Sequence, residues 1–191
     1  MRKSFVAMCL AALFALSACG QASGPAEEQI DQMPTAEELG MPETMELEFV
    51  AAEQVQTTLA TLHIGEGYSL YVHNTGWNKD TDRDDRIPTD VWESTADDEV
   101  EVAVSRYGSM PMEEAVTDFL EEHDDYVFQD LLLGSGEVME PLEGVDEDGD
   151  VLKFMMRAGK TGNYIISWKY RDALASAASQ AEQIVRTFVL I

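Results

Sequence analysis

An α+β fold, an antiparallel sheet packed with two helices, is what this sequence predicts. Three patterns predict it. Val100, Val102 and Val104 alternate with acidic residues, and residues 150–170 alternate in the same way, the period of a strand. Two stretches, one behind Pro111 and one near the C-terminus, instead repeat their apolar residues every three or four positions, the period of a helix. Glycine and aspartate clusters stand between these runs, where turns belong.

The elements follow in order. Residues 46–51 and 55–64 alternate loosely and are rich in Val, Thr and Leu, as strands are. Gly65 and Gly67 punctuate the chain before Tyr68–Val72, a further strand. Asn74 to Pro88 is polar and charged and reads as a loop, with Trp77 at its start either covering the core edge or lining a ligand site. Val91–Ser94 is a short strand whose Trp92 belongs in the core, and Ala96-Asp97-Asp98 is turn chemistry. Val100, Val102 and Val104 then share one strand face, with Glu99 and Glu101 on the other. Pro111 suits the first position of a helix, where its missing N–H costs little. Glu113 and Glu114 favour the same helix start through the macrodipole. Met112, Ala115, Val116, Phe119, Leu120 and His123 form the helix's apolar stripe.

Residues 126–133 and 136–141 read as extended. Asp146 to Asp150 is a turn, and Gly159-Lys160-Thr161-Gly162 another. Between and beyond them, Leu152, Phe154 and Met156 alternate with Lys153, Met155 and Arg157, and Tyr164, Ile166, Trp168 and Tyr170 alternate in turn. That is a hairpin pattern. A last helix spans about Leu174 to Phe188, with Ala177, Ala181, Ile184, Val185 and Phe188 as its buried stripe.

The N-terminal residues carry a different message. Arg2 and Lys3 precede an uncharged apolar run from Phe5 to Ala18, fourteen residues long. A membrane-spanning helix needs about 20. A short apolar run behind a basic start reads as a signal peptide, residues 1–18. It ends in Leu16-Ser17-Ala18-Cys19-Gly20, which resembles the bacterial lipobox. That resemblance implies cleavage before Cys19, acylation of its thiol with fatty acid such as palmitate, and a lipid anchor in a cell membrane or outer membrane. The domain would then sit outside the cytoplasm. Cys9 leaves with the leader, so Cys19 is the mature chain's one thiol and no intramolecular disulfide forms. Residues 19–44 are rich in Gly, Pro, Ala and Glu and poor in large apolar side chains, so they read as the lipidated cysteine and a flexible tether. Residues 45–191 are then one globular α+β domain.

The formal charge is −25, and losing Arg2 and Lys3 with the leader takes it to −27. Such a balance opposes nucleic acid and a peripheral grip on anionic lipid. Cations, basic proteins and a protein partner at the cell envelope are the compatible classes.

The order of elements also carries a resemblance. "GYSLYV", the pair Gly76-Trp77, "VWES", "VEVAVSRYG" before a helix, and the ending "GNYIISWKY…AEQIVRTFVL" resemble exported bacterial proteins of the PsbP-like fold, over roughly residues 50–191. The resemblance implies an α/β/α sandwich and a binding or assembly role, since members of that fold mostly serve as such modules. Plant members support the manganese–calcium centre of photosystem II, but no ligand residue of theirs maps onto this chain.

No catalytic constellation accompanies the fold. There is no GxSxG, SxxK, HExxH, phosphate loop or dinucleotide fingerprint. His63, His73 and His123 lack paired spacing, and Met110/Met112 and Met155/Met156 read as packing residues. The acidic runs are the remaining lead. Asp80, Asp82 and Asp84 alternate, as hard-oxygen ligands for Ca²⁺ do, with Asp85 and Asp90 behind them. The run resembles the start of an EF-hand loop, with Ile87 at its apolar eighth position. It departs at Asp85, where that loop has glycine, and at Val91, where it has a bidentate Glu. Acids are 37 of 191 residues, and chance alone supplies about one such triplet. Runs from Asp80, Asp97 and Asp146 all fit. The expectation is therefore a membrane-anchored, non-enzymatic binding or assembly module without a cofactor. A Ca²⁺-dependent sensor or adhesion domain using Asp80–Asp90 is one alternative, and an enzyme using dispersed carboxylates another.

Overall fold

The computed structural model describes residues 33–82, 85–128, 141–171 and 175–191. Cys19 and Asp84 therefore lie outside the described residues, as do 1–32 and most of the stretch expected to be extended between 126 and 141.

Structure begins before residue 45. Thr35 Oγ1 accepts from the Glu38 N–H at 3.3 Å, and Glu38 Oε2 accepts from the Thr35 N–H at 2.8 Å. This reciprocal capping box opens a single turn, α1 (Ala36–Leu39), which Gly40 closes in the left-handed region at φ 65°. The sequence assigns these residues to the tether. The difference lies in packing: Met41 and Met45 rest on Leu47, Ala60 and Tyr71, and the Tyr71 hydroxyl donates to the Pro42 carbonyl at 2.6 Å. Two methionines and a capping box offset the ordering cost that composition alone suggests is unaffordable.

β1 (Thr44–Ala51) and β2 (Gln54–Gly65) form an antiparallel hairpin whose two-residue turn places Ala52 at φ 49° and Glu53 at φ 61°. Two consecutive positive φ values match the right-handed twist of the strands, and neither residue is glycine. β3 (Tyr68–His73) pairs back on β2. β4 (Trp77–Asp80) is a strand inside the stretch that the sequence reads as loop. Its three polar residues hide the period, while Trp77 is buried and donates from Nε1 to Gln180 Oε1 at 2.7 Å. β5 (Thr89–Ser94) and the long β6 (Asp97–Gly108) follow. α2 (Met112–Glu122) starts directly behind Pro111 and buries Ala115, Val116 and Phe119, as its stripe requires. β7 (Val127–Phe128), β8 (Leu142–Val145), β9 (Asp150–Ala158) and β10 (Asn163–Arg171) complete the strands before α3 (Ala175–Arg186). β11 (Val189–Leu190) is a two-residue strand that the helix-period pattern conceals.

These strands form two antiparallel sheets rather than one: β1-β2-β3-β11 and β4-β5-β6-β10-β9-β8-β7. The fold is α+β, sheet-rich and with few helices. Alternation along each central strand divides the core. On one face of the seven-stranded sheet, Trp92, Val102, Val104, Ile166 and Trp168 meet Tyr68 and Leu70 of β3 and Ala181, Ile184 and Val185 of α3. On the other, Phe154, Met156 and Ile165 meet Val116 and Phe119 of α2. Each fully buried large side chain contributes roughly 1.5–3 kcal/mol. Gly67, at φ 81°, lets β3 approach the hairpin turn: a Cβ there would collide with Thr161 Oγ1 and the Tyr164 hydroxyl.

Candidate functional site

The α3 face of the seven-stranded sheet is covered unevenly. α3 packs on β6 and β10 at its middle. Toward β4 and β5 the smaller sheet closes over it, with His63 of β2 edge-on to Trp92 and the Tyr68 hydroxyl donating to Asp90 Oδ2 at 2.5 Å. Asp90 also pairs with Lys79. Burial works against the Asp90 charge, but the hydrogen bonds from Lys79 and Tyr68 prevail and hold its carboxyl below the usual range.

Toward β8 and β9 the sheet extends past α3 and leaves a groove of about 440 Å³. The volume lies in the range of small-molecule sites, about 300–1,000 Å³. The strand register builds its floor. Lys153, Met155 and Arg157 alternate along β9 and stand beside Trp168, Ile166 and Tyr164 of β10. Glu143 of β8 is the cross-strand neighbour of Lys153. The wall comes from Glu182, Val185 and Arg186, three and four residues apart on α3, and from Phe188.

The polar groups of this groove are unequally occupied. Lys153 reaches Glu143 at 3.1 Å and Glu182 at 3.4 Å, and lies 5.5 Å from the Tyr170 ring centre. Burial alone would lower its pKa; hydrogen bonding to Tyr170 and Glu143 and the Glu143 charge instead hold the ammonium above its ordinary value. Arg157 donates from Nη1 to the Met156 carbonyl at 3.0 Å. Arg186 is exposed and has no ion-pair partner among the described residues. Trp168 is 3% exposed, and its Nε1–H has no acceptor.

Sequence patterns place Lys153 and Arg157 on one strand face and say nothing of Arg186 or of convergence. A usable signal exists: the chain has only 12 Lys and Arg, and three of them line this groove.

The residues singled out for Ca²⁺ are arranged as a turn. Asp80 ends β4, and its Oδ1 accepts the Asp82 N–H at 2.9 Å. Asp84 lies outside the described residues, and Asp90 turns away to Tyr68 and Lys79. The run at Asp146 is likewise a turn, its Oδ1 accepting from the N–H groups of Asp148 and Asp150 at 2.9 and 2.8 Å. Among the described residues, no three His, Cys, Asp or Glu side chains are grouped to hold a metal ion. The histidines are spread through the fold. His63 touches Trp92, and His123 closes α2 with Nδ1 at 2.8 Å from the Phe119 carbonyl. His73 is buried, its Nδ1 2.5 Å from Thr58 Oγ1 and its Nε2 without a partner.

No family model matches the chain, and no curated protein does. Among solved structures, a protein from Bacteroides thetaiotaomicron VPI-5482 aligns with a TM-score of 0.36 at 14% identity, over 65% of this chain and 45% of that one. This chain thus spans less than half the length of that protein.

Proposed function

We infer that this protein is an exported lipoprotein, anchored through Cys19 to a bacterial cell membrane or outer membrane, whose α+β domain is a non-enzymatic binding or assembly module. The observation that carries the binding role is the groove between α3 and β8–β9, where apolar and charged side chains line about 440 Å³ among the described residues. The lipobox-like Leu16-Ser17-Ala18-Cys19 supports the anchor. The PsbP-like reading is supported by α2 and α3 lying on opposite faces of the seven-stranded sheet.

Two experiments test the reading. Cells fed a labelled fatty acid should label the wild-type chain and not Cys19→Ser; an unlabelled wild type refutes the anchor. In thermal unfolding of the full chain, at least one class among organic anions, organic cations and neutral amphiphiles should raise the Tm. Saturation at a hundred times Kd adds about 2.7 kcal/mol. The rise should vanish in Glu182→Trp, which puts a bulky ring at the groove's rim. No rise with any class refutes the groove as a ligand site. Ca²⁺ in the same panel tests the Asp80–Asp82–Asp84 loop.

A further inference from the structure

The α2 face of the seven-stranded sheet holds a second concavity, and it does not depend on the groove. The strand register floors it with small side chains. Thr89 of β5 stands beside Ser105 of β6, and Val91 stands beside Ala103, whose other neighbour is Ser167 of β10. One strand further on, Phe119 of α2 rests on Phe154, their ring centres 4.8 Å apart. The helix is carried by that large ring, and the short side chains beside it leave a pocket of about 150 Å³. Arg86 ties the segment before β5 to the helix, donating from Nη2 to Asp118 at 2.5 and 2.6 Å and to Glu122 at 3.0 Å. We propose that this pocket binds a compact primary ammonium, the group that a small free amine carries.

The floor supplies the first reason. Ser167 is only 5% exposed, and its hydroxyl has no hydrogen-bond partner among the described residues. Unlike the Trp168 indole nitrogen it is not sealed off, because it lines the pocket. A buried polar group without a partner costs about 1–3 kcal/mol, which a ligand recovers by bonding to it. The wall supplies the second. His123 Nδ1 lies 2.8 Å from the Phe119 carbonyl. A carbonyl only accepts, so Nδ1 carries the proton, and Nε2 of the neutral ring is an acceptor. The third reason is sign. Asp85, Glu101 and Glu122 against Arg86 give the described lining a charge of −2, by one positive less three negative. Asp85 and Glu101 each have a partner already, so neither is counted as a free acceptor. Among residues 33–191, Arg83 is the one cation outside the described residues, and adding it leaves −1. The lining's own cation is held by two carboxylates. A negative pocket whose open groups accept suits a ligand that is positive and donates, and –NH₃⁺ brings three donors. Size is the fourth. At about 30 Å³ for each water, the pocket has the bulk of about five, well below ordinary small-molecule sites, so the ligand is compact.

The test uses the full chain carrying Cys19→Ser, which removes the acylation site, labelled with ¹⁵N. Ethylammonium, tetramethylammonium and ethylene glycol are titrated and the amide resonances followed. Ethylammonium should shift Ser105, Ser167 and His123 along a saturating curve. Tetramethylammonium has the charge without the N–H donors, and ethylene glycol has donors without the charge. Each should need at least tenfold higher concentration. Ser167→Val keeps a strand-forming side chain, removes the hydroxyl and fills the floor, and should weaken ethylammonium at least tenfold. Glu122→Gln, at the exposed rim, should weaken it at least twofold and serves as the variant if Ser167→Val does not fold. Equal binding of tetramethylammonium, or shifts spread over the acidic surface without saturation, would show simple charge attraction and overturn the proposal. Equal binding of ethylene glycol, or a folded Ser167→Val that binds ethylammonium unchanged, would overturn it too. None of these outcomes bears on the groove between α3 and β8–β9, which lies on the sheet's other face.

Discussion

The two flanks of the seven-stranded sheet's α3 face are built to opposite ends. At β4–β5, the four-stranded sheet closes down, and its charged groups are paired internally: Tyr68 donates to Asp90, Asp90 pairs with Lys79, and His63 packs on Trp92. At β8–β9, the same α3 stops short, and the exposed Arg186 has no ion-pair partner among the described residues. One flank uses side-chain chemistry to hold two sheets together. The other leaves a groove lined by charged and apolar side chains. Stability should therefore concentrate at the closed flank and ligand recognition at the open one.

The largest effect should come from the closed flank's centre. Trp92 is 1% exposed, and Trp92→Ala should cost about 3–5 kcal/mol in denaturant unfolding, through lost burial and the cavity left behind. A cost under 1 kcal/mol would mean that the two sheets do not depend on that contact. Tyr68→Phe keeps the ring and removes only the donor to Asp90. A hydrogen bond to a charged group is worth about 1.5–3 kcal/mol, and Asp90 is partly solvated, so about 1.5 kcal/mol is expected.

Acid provides the next cut. Burial holds the imidazole of His73 below its ordinary pKa. Burial likewise lowers His63, helped by Lys79 and opposed by Asp90. For a base whose folded pKa lies below its unfolded value, the unfolded chain takes up the proton first. Stability is therefore complete above about pH 6.5 and falls as the pH drops from there toward the folded value. The slope of unfolding free energy between pH 7 and 5.5 should shrink in His73→Leu and shrink further when His63 is also replaced. An unchanged slope would assign the acid sensitivity elsewhere.

A smaller gain is available at the β1–β2 turn. Glu53 stands at φ 61°, and Glu53→Gly should raise stability by about 0.5–1 kcal/mol in the same unfolding assay. At the open flank, Arg186→Glu and Glu182→Gln should change stability by less than about 0.5 kcal/mol, because neither side chain is in the core. A larger loss there would erase the contrast between the flanks.

Much of this architecture is legible in the residues themselves. The pairing of Lys153 with Trp168 and of Met155 with Ile166 follows the alternation that the 150–171 stretch displays, and Pro111 with its stripe marks α2 within a residue. Period two reports which side chains face inward but not against what, so two sheets read as one. Trp77-Asn78-Lys79-Asp80 offers a single apolar residue, too few to show a period, and is a strand because β5 supplies its partner. The capping box at Thr35 and Glu38 is visible in sequence, yet the Met41 and Met45 contacts that make it worthwhile are tertiary. The groove is the least legible feature, since Lys153 and Arg186 meet only through the β9–β10 register and the placement of α3. Cys19 and Asp84 lie outside the described residues, and their roles rest on sequence.

The smaller sheet's borders carry one more implication. α3 lies along β1, with Ser179 Oγ accepting the Val50 N–H at 2.9 Å, and on the other side Thr187 Oγ1 accepts the Tyr71 N–H at 2.8 Å beyond the short β11. A strand border part-covered in this way is a poorer template for a stranger's strand. Copies of this protein crowded onto a surface would thus find the smaller sheet's borders hard to extend backbone to backbone.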